Sequence, residues 1–298
     1  MNSSLLRLAS VSILVSLAVI GLKMLAWAWT GSVGILSDAA ESLANLAGAL
    51  VAYLMLALAA EPPDEEHAFG HSKAEYFASG FEGGLILVAA LGIAWAGVTR
   101  WLSPQPLEDL GVGLVLAGGA SLLNLGLARV LLRAGRAHGS ITLEASGRHL
   151  MADVWTSVGV LGAVAGVAWT GWPWLDPLAA LLVSIHLLWT GWGLLRRSVL
   201  GLLDTSLPAD ALAQIQGVLA EYEAGGIQFH ALRTRTAGHR SFISLHVLVP
   251  GGWSVQRGHD LAEELEVRIR ARVRGSVVFT HLEPLEDPLS FQDQHLPP

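Results

Sequence analysis

Gly31-Ser-Val-Gly-Ile-Leu-Ser-Asp38-Ala-Ala-Glu41-Ser42-Leu-Ala-Asn45 decides the fold, because it sets two carboxylates and an amide inside a run apolar enough to cross a membrane. Asp38, Glu41, Ser42 and Asn45 stand at i, i+3, i+4 and i+7, which on a helix of 3.6 residues per turn is one polar stripe. A second segment, His149-Leu-Met-Ala-Asp153, repeats the four-residue spacing and continues through Thr156 and Ser157. Two such helices could supply four ligands to one ion: Glu41 and Asn45 from the first, His149 and Asp153 from the second. Hydrogen bonding between helices would account for Ser42 or Asn45, but it explains two carboxylates badly. Ionisable groups at membrane depth are costly, and one that persists marks an ion or substrate path. His186 has no acidic neighbour at helical spacing and reads instead as a core residue.

Composition agrees. Hydrophobic residues make up 52% of the chain and charged residues 14%, against about 25% charged in ordinary soluble domains. The charge is uneven, with 24 charged residues over 1–207 and 19 over the last 91, so a soluble domain follows the membrane part. The chain has no cysteine, which leaves imidazole, carboxylate and amide as its metal ligands. A net charge of −7 and a pI near 5.8 exclude a nucleic-acid partner, which calls for a basic face.

Apolar runs of spanning length, about 20 residues, fall at roughly 8–29, 34–58, 80–101, 110–132, 150–170 and 175–195. The first is too long for a signal-peptide core and leads straight into another span. Arg129, Arg133, Arg136 and Arg148 crowd the connection between spans four and five, and Arg196 and Arg197 close span six. By the positive-inside rule both termini are cytoplasmic. Trp27, Trp29, Trp101, Trp169, Trp172 and Trp174 all fall at the opposite ends of their spans, as an outer aromatic belt would.

Residues 208–286 read as a compact α+β domain of order αββαβ, with helices near 208–224 and 254–273 and strands near 227–236, 241–249 and 277–282. The tail 287–298 reads as unstructured. His230 and His246 lie on the two adjacent strands, His259 near the start of the second helix, and His281 and Glu283 at i and i+2 on the last strand. Five metal-competent groups on successive elements point to a metal cluster. In the connection between spans two and three, Asp64, His67 and His71 could converge on an ion at the membrane surface; the alternative is a solvated acidic loop.

These motifs together make the chain resemble the cation diffusion facilitator family. The likeness covers nearly the whole chain and rests on Asp38–Asn45, on Pro62–Glu75 with its His-Ala-Phe-Gly-His-Ser-Lys-Ala-Glu core, on His149–Ser157 and on the histidines of the soluble domain. The resemblance implies a homodimer of six-span protomers in a bacterial inner membrane. Each protomer would carry a cytoplasmic metallochaperone-like domain and export a divalent metal in exchange for protons. It implies a transport site of Glu41, Asn45, His149 and Asp153, with Asp38 in a supporting place. It implies a loop site of Asp64, His67 and His71, and a regulatory cluster of His230, His246, His259, His281 and Glu283 at the dimer interface. Lys73 and Asp204 match a salt bridge that couples the two halves in similar proteins. No protein partner beyond a second copy and the surrounding lipid is implied.

Glu41, Asn45 and Glu283 depart from residues common in zinc-exporting relatives. One imidazole beside three oxygen donors suits Zn²⁺, Fe²⁺ or Co²⁺ on the nitrogen side and Mn²⁺ on the oxygen side. The order expected is Zn²⁺ first, then Mn²⁺ and Fe²⁺, with Co²⁺ and Cd²⁺ also accommodated. A membrane-embedded metal sensor would explain the cytoplasmic cluster but not the buried pairs. A passive cation channel would fit polar stripes, although four converging ligands bind too tightly for fast conduction. A metallohydrolase would need an open coordination position and a general base, yet the chain has no His-Glu-x-x-His and Glu41 is spent as a ligand.

Overall fold

The computed structural model describes residues 3–30, 33–103, 111–172, 174–292 and 294. The chain forms two compact units that divide between Val199 and Leu200.

Six helices build the first: α1 (Ser3–Thr30), α2 (Val33–Ala59), α3 (Ala74–Leu102), α4 (Gly111–His138), α5 (Ile141–Thr170) and α6 (Leu175–Leu202). At 1.5 Å per residue each runs about 40–45 Å, longer than a hydrocarbon core of about 30 Å. The helices accordingly overrun the apolar runs seen in sequence: α3 begins at Ala74 rather than near 80, and α5 at Ile141 rather than near 150. Hydropathy marks the stretch dissolved in lipid, whereas the helix continues until a cap stops it. For α5 that cap is Ser140, whose side chain accepts from the Leu143 N–H, and Gly171 ends the helix at φ 71°. Among the described residues three stretches are both long and apolar enough to span: Leu5–Leu22, Ala74–Leu102 and Leu175–Leu202. Asn45–Ala59 of α2 is a further, shorter apolar stretch among the described residues.

Leu5 and Ala9 of α1, Leu56 of α2, Leu127 and Leu131 of α4 and Leu143 and Leu150 of α5 share one core. Ile86 and Ala90 of α3, Ala145 and Ala152 of α5 and Leu187 and Leu194 of α6 share another. Helices α3 and α6 approach backbone to backbone where Gly83 faces Gly191. A Cβ on Gly191 would lie 3.0 Å from the Gly83 carbonyl oxygen, so small residues set this contact. Arg100–Asp176 at 2.7 Å and Arg197–Glu144 at 2.5 Å tie neighbouring helix ends. Leu14, Leu54, Val88, Trp95 and Trp189 point outward and exposed, a surface that water would penalise and lipid accepts. Trp101, Trp169, Trp172 and Trp174 are likewise exposed; the side chains of Trp27 and Trp29 lie outside the described residues. His186 departs from expectation: it is exposed, its ring edge-on to Trp155 at 5.6 Å.

The second unit contains α7 (Ala209–Glu223), β1 (Gln228–Ala237), β2 (Arg240–Val249), α8 (Val255–Arg272) and β3 (Ser276–Pro284). The sheet order is β1-β2-β3, with β1 antiparallel and β3 parallel to β2. A strand's period of two sends Ile243, Leu245 and Val247 to one face, where they meet Ile215 and Leu219 of α7 and Leu265 and Ile269 of α8. His246 therefore faces the other way. Tyr222 of α7 donates to Glu264 of α8 at 3.0 Å, and burial, reinforced by that carboxylate, pushes its phenol up to about 12. Within the tail expected to lack structure, the Asp287 side chain caps a 3₁₀ turn at Pro288–Phe291 and Ser290 donates to the Pro284 carbonyl. A side-chain cap and one hydrogen bond to a strand end suffice to order a four-residue turn, and composition alone does not reveal them.

Candidate metal centres

In the membrane unit, α2 and α5 bring Asn45, His149 and Asp153 together about midway along their helices. Asn45 Nδ2 donates to Asp153 Oδ2 at 2.6 Å, and Asn45 Oδ1 lies 2.8 Å from His149 Nε2. An ionised carboxylate can only accept, so the amide nitrogen must face Asp153 and the amide oxygen the imidazole. His149 is buried, 6% exposed. The α2 backbone is helical through Asp38 and Glu41, which carries Glu41 one turn before Asn45; the side chains of Asp38 and Glu41 lie outside the described residues. Thr156 and Ser157 donate to the Asp153 carbonyl at 2.8 and 3.0 Å, so their hydroxyls are spent on their own helix.

Two side chains at this site went unsingled in sequence. Asn124 of α4 places Nδ2 3.5 Å from Asp153 Oδ2. Glu82 of α3 places Oε2 3.1 Å from His149 Nδ1 and accepts from Ser146 Oγ at 3.0 Å. A signal existed for Glu82. Glu75, Ser79 and Glu82 stand at i, i+4 and i+7 and all three are buried, the same stripe logic that exposed α2.

The loop between α2 and α3 brings Asp64, His67 and His71 within reach of one ion. Asp64 Oδ1 is 3.1 Å from His67 Nδ1, and its Oδ2 is 3.3 Å from His71 Nε2. The His67 N–H also donates to Asp64 at 2.6 Å, and this backbone bond, ahead of the two imidazoles, holds the Asp64 carboxyl below its usual range. Gly70, at φ 80°, turns the chain between the histidines. The buried Nδ1 of His71 has no hydrogen-bond partner among the described residues.

In the second unit, sheet register aligns His230 of β1, His246 of β2 and His281 of β3 as one row. Glu283 reaches back into it: its Oε2 is 2.9 Å from His230 Nε2 and 3.3 Å from His246 Nδ1. His230, His246 and Glu283 could hold one ion. A register shift follows His230, and Ala231 there adopts φ 49°, a left-handed conformation that costs a non-glycine residue about 1–3 kcal/mol. The bulge aims His230 at its neighbours. His281 is largely exposed and stands 3.7 Å from Glu283. His259 is exposed on α8 and is not brought into the group within this chain. Asp204 adopts φ 57° and pairs with Arg235 at 3.1 Å.

The sequence pattern of the cation efflux transmembrane domain matches residues 9–203. That of the cation efflux protein cytoplasmic domain matches residues 207–285. Over 284 residues the chain is 57% identical to an uncharacterized transporter of Synechocystis sp., covering 95% of this chain and 92% of that one. It is 30% identical over 281 residues to the cation-efflux pump FieF of Shewanella oneidensis, covering 94% of each. With the cation-efflux pump FieF of Klebsiella pneumoniae it shares 32% over 289 residues, covering 95% of each.

Proposed function

The chain belongs to the cation efflux, or cation diffusion facilitator, family of integral membrane transporters, and on that premise we propose that it carries a divalent transition metal out of the cytoplasm in exchange for protons. The observation that carries this reading is the hydrogen-bonded sequence His149–Asn45–Asp153 in the middle of the helix bundle. With Glu41 added, two carboxylates balance one divalent ion, and the imidazole favours Zn²⁺, with Mn²⁺ and Fe²⁺ close behind.

The hydrogen bonds of the site support the coupling. Because Asn45 turns its amide nitrogen to Asp153, its oxygen accepts from His149, and Nε2 carries a hydrogen. An arriving ion needs that same lone pair, so the proton leaves as the metal binds. Acid on the far side returns it and expels the metal, and imidazole suits this because its ordinary pKa, about 6.5, lies in the working range. Alternating access then means that Asn45 and His149, on two different helices, part and rejoin.

The protein acts as a homodimer, a reading supported by the match to the family's cytoplasmic domain. The row His230–His246–His281 with Glu283 binds regulatory metal at the dimer interface, with His259 as the cluster's remaining member. Asp64, His67 and His71 take metal at the membrane surface, and Lys73 and Asp204 couple the two halves. The bacterial relatives support an inner-membrane location, and the arginine-rich connections support cytoplasmic termini.

Metal flux in proteoliposomes, with and without an imposed pH gradient, tests this across Zn²⁺, Mn²⁺, Fe²⁺, Co²⁺ and Cd²⁺. Uptake that rises with an opposing proton gradient is the expected result. Flux indifferent to the gradient makes the protein a passive channel, and binding without flux makes it a sensor.

A further inference from the structure

Glu82 is a carboxylate buried in the bundle, 2% exposed, among α2, α3 and α5. Among the described residues no lysine or arginine reaches it. Such a group is costly in a bilayer, and hydrogen bonding to Ser146 Oγ at 3.0 Å occupies only Oε1. Its Oε2 lies 3.1 Å from Nδ1 of His149. Gly48 of α2 leaves the room: a Cβ there would come within 3.0 Å of both carboxylate oxygens. The imidazole thus stands between two partners, with Nδ1 toward Glu82 and Nε2 2.8 Å from Asn45.

Two bare lone pairs at 3.1 Å would repel, so a hydrogen lies between Nδ1 and Oε2. The approach is oblique to the N–H axis, short of a full hydrogen bond. Which imidazole nitrogen binds metal is set by the bond the other one makes, and a carboxylate behind the ring also strengthens the ring as a donor.

We propose that Glu82 is the positioning residue of the transport site: through Nδ1 it fixes the tautomer and orientation of His149 so that Nε2 is offered to the ion. Glu82 can hold this role only if Asn45, His149 and Asp153 bind the transported metal. Its effect falls on the one nitrogen donor of the site, and so favours the imidazole-seeking Zn²⁺ over Mn²⁺. The plainer role, a tether between α3 and α5, would work through Ser146 instead.

The test uses the full chain in detergent, with His67, His71, His230 and His246 changed to alanine so that Zn²⁺ affinity reads the membrane site. Glu82→Met should weaken Zn²⁺ binding about 10–100-fold and Mn²⁺ binding less. In a His149→Ala background the same change should matter by no more than about twofold, the limit within which independent sites add. Ser146→Ala, which cuts only the tether, should leave Zn²⁺ affinity close to that of the parent. Glu82→Gln, of the same shape and still able to accept, should recover part of the loss, and it carries the same cycle with His149→Ala should Glu82→Met not fold. Unchanged affinity in both Glu82 variants, or an equal loss with and without His149, overturns the assignment. Asp153→Ala runs alongside: if that variant keeps full Zn²⁺ affinity, the transport site itself lies elsewhere.

Discussion

Replacing Asn45 with aspartate tests the transport site at the residue where its charge is set. The amide now donates to Asp153 Oδ2 at 2.6 Å and presents its oxygen 2.8 Å from His149 Nε2. A carboxylate there loses the donor and sets two negative groups face to face. Relaxed to about 4 Å, two unit charges repel by about 4 kcal/mol at an effective dielectric of about 20. The empty site relieves this only by spreading the carboxylates or by admitting a cation. If a third of that repulsion becomes binding energy, about 1.4 kcal/mol, the affinity for a divalent ion rises about tenfold. Release slows correspondingly, because most affinity change resides in dissociation. Calorimetry on the purified Asn45→Asp protein should therefore show tighter Zn²⁺ binding and an altered order among metals, while flux in proteoliposomes falls. Unchanged affinity and unchanged order would mean that Asn45 faces away from the ion, and the reading of the site would be wrong.

Asp153→Ala should abolish flux with little change in thermal stability, because it removes a ligand and a charge rather than packing; normal flux would exclude Asp153 from the path. The cytoplasmic unit, expressed from Pro208, should gain thermal stability with Zn²⁺ by mass action, and the gain should fade below about pH 6, where free imidazoles hold protons. Changing His246 and His281 together to alanine should erase that gain without unfolding the apo domain, since the hydrophobic core is built on the other face of β2; a full shift in the double variant would place the metal elsewhere. Tyr222 is the one tyrosine after residue 207, so phenolate absorbance of the same fragment should rise near pH 12 instead of 10.0. A raised folded value means that this stabilisation is intact below the unfolded value and is lost as pH climbs from about 10 to 12, and Glu264→Gln should bring the titration down. Asp64 is held below its ordinary range by the His67 N–H, so its charge persists through mild acid and is lost only as pH falls through that lowered value. Asp64→Asn should therefore weaken metal binding at the loop even in mild acid, where the native carboxylate stays charged; equal binding by the variant would exclude Asp64 as a ligand.

That Asn45, His149 and Asp153 meet was legible because a helix has one period, and spacing along the chain converts directly into a shared face. Glu82 escaped for a related reason. Apolar content placed the third span near residue 80, which left Glu75 in a loop and broke the stripe that Glu75, Ser79 and Glu82 form on α3. Asn124 has only Ser121 one turn away and reads alone as an ordinary helix-to-helix hydrogen bond; only the packing of α4 on α5 brings it to Asp153. In the soluble domain the strands and their histidines could be read from alternation. That His281 continues the row through His246 depends on β3 lying parallel beside β2, and strand order leaves no local mark in sequence. Nor does the bulge at Ala231, since an alanine is no signal for a left-handed backbone.

The three centres differ in what an ion must displace, and that difference suits different tasks. Asp64 and His67 are about half exposed, so an ion bound there, as proposed, would stay in contact with water. The sheet cluster is more enclosed, with His246 and Glu283 buried, and its donors already crowd one point at the cost of the Ala231 backbone. On the proposed reading, metal there would relieve the mutual approach of its ligands and stabilise the folded sheet, as in a site that holds its ion. The transport site does the reverse. Its side chains hydrogen-bond one another from His149 through Asn45 to Asp153, while Glu82, bonded to Ser146, stands 3.1 Å behind His149. On the proposed reading, an entering ion would break Asn45 away from both neighbours, and those same bonds would re-form as it leaves. A carrier needs both states to lie within a few kcal/mol of each other, and an asparagine that replaces the ion's bonds with its own brings them close.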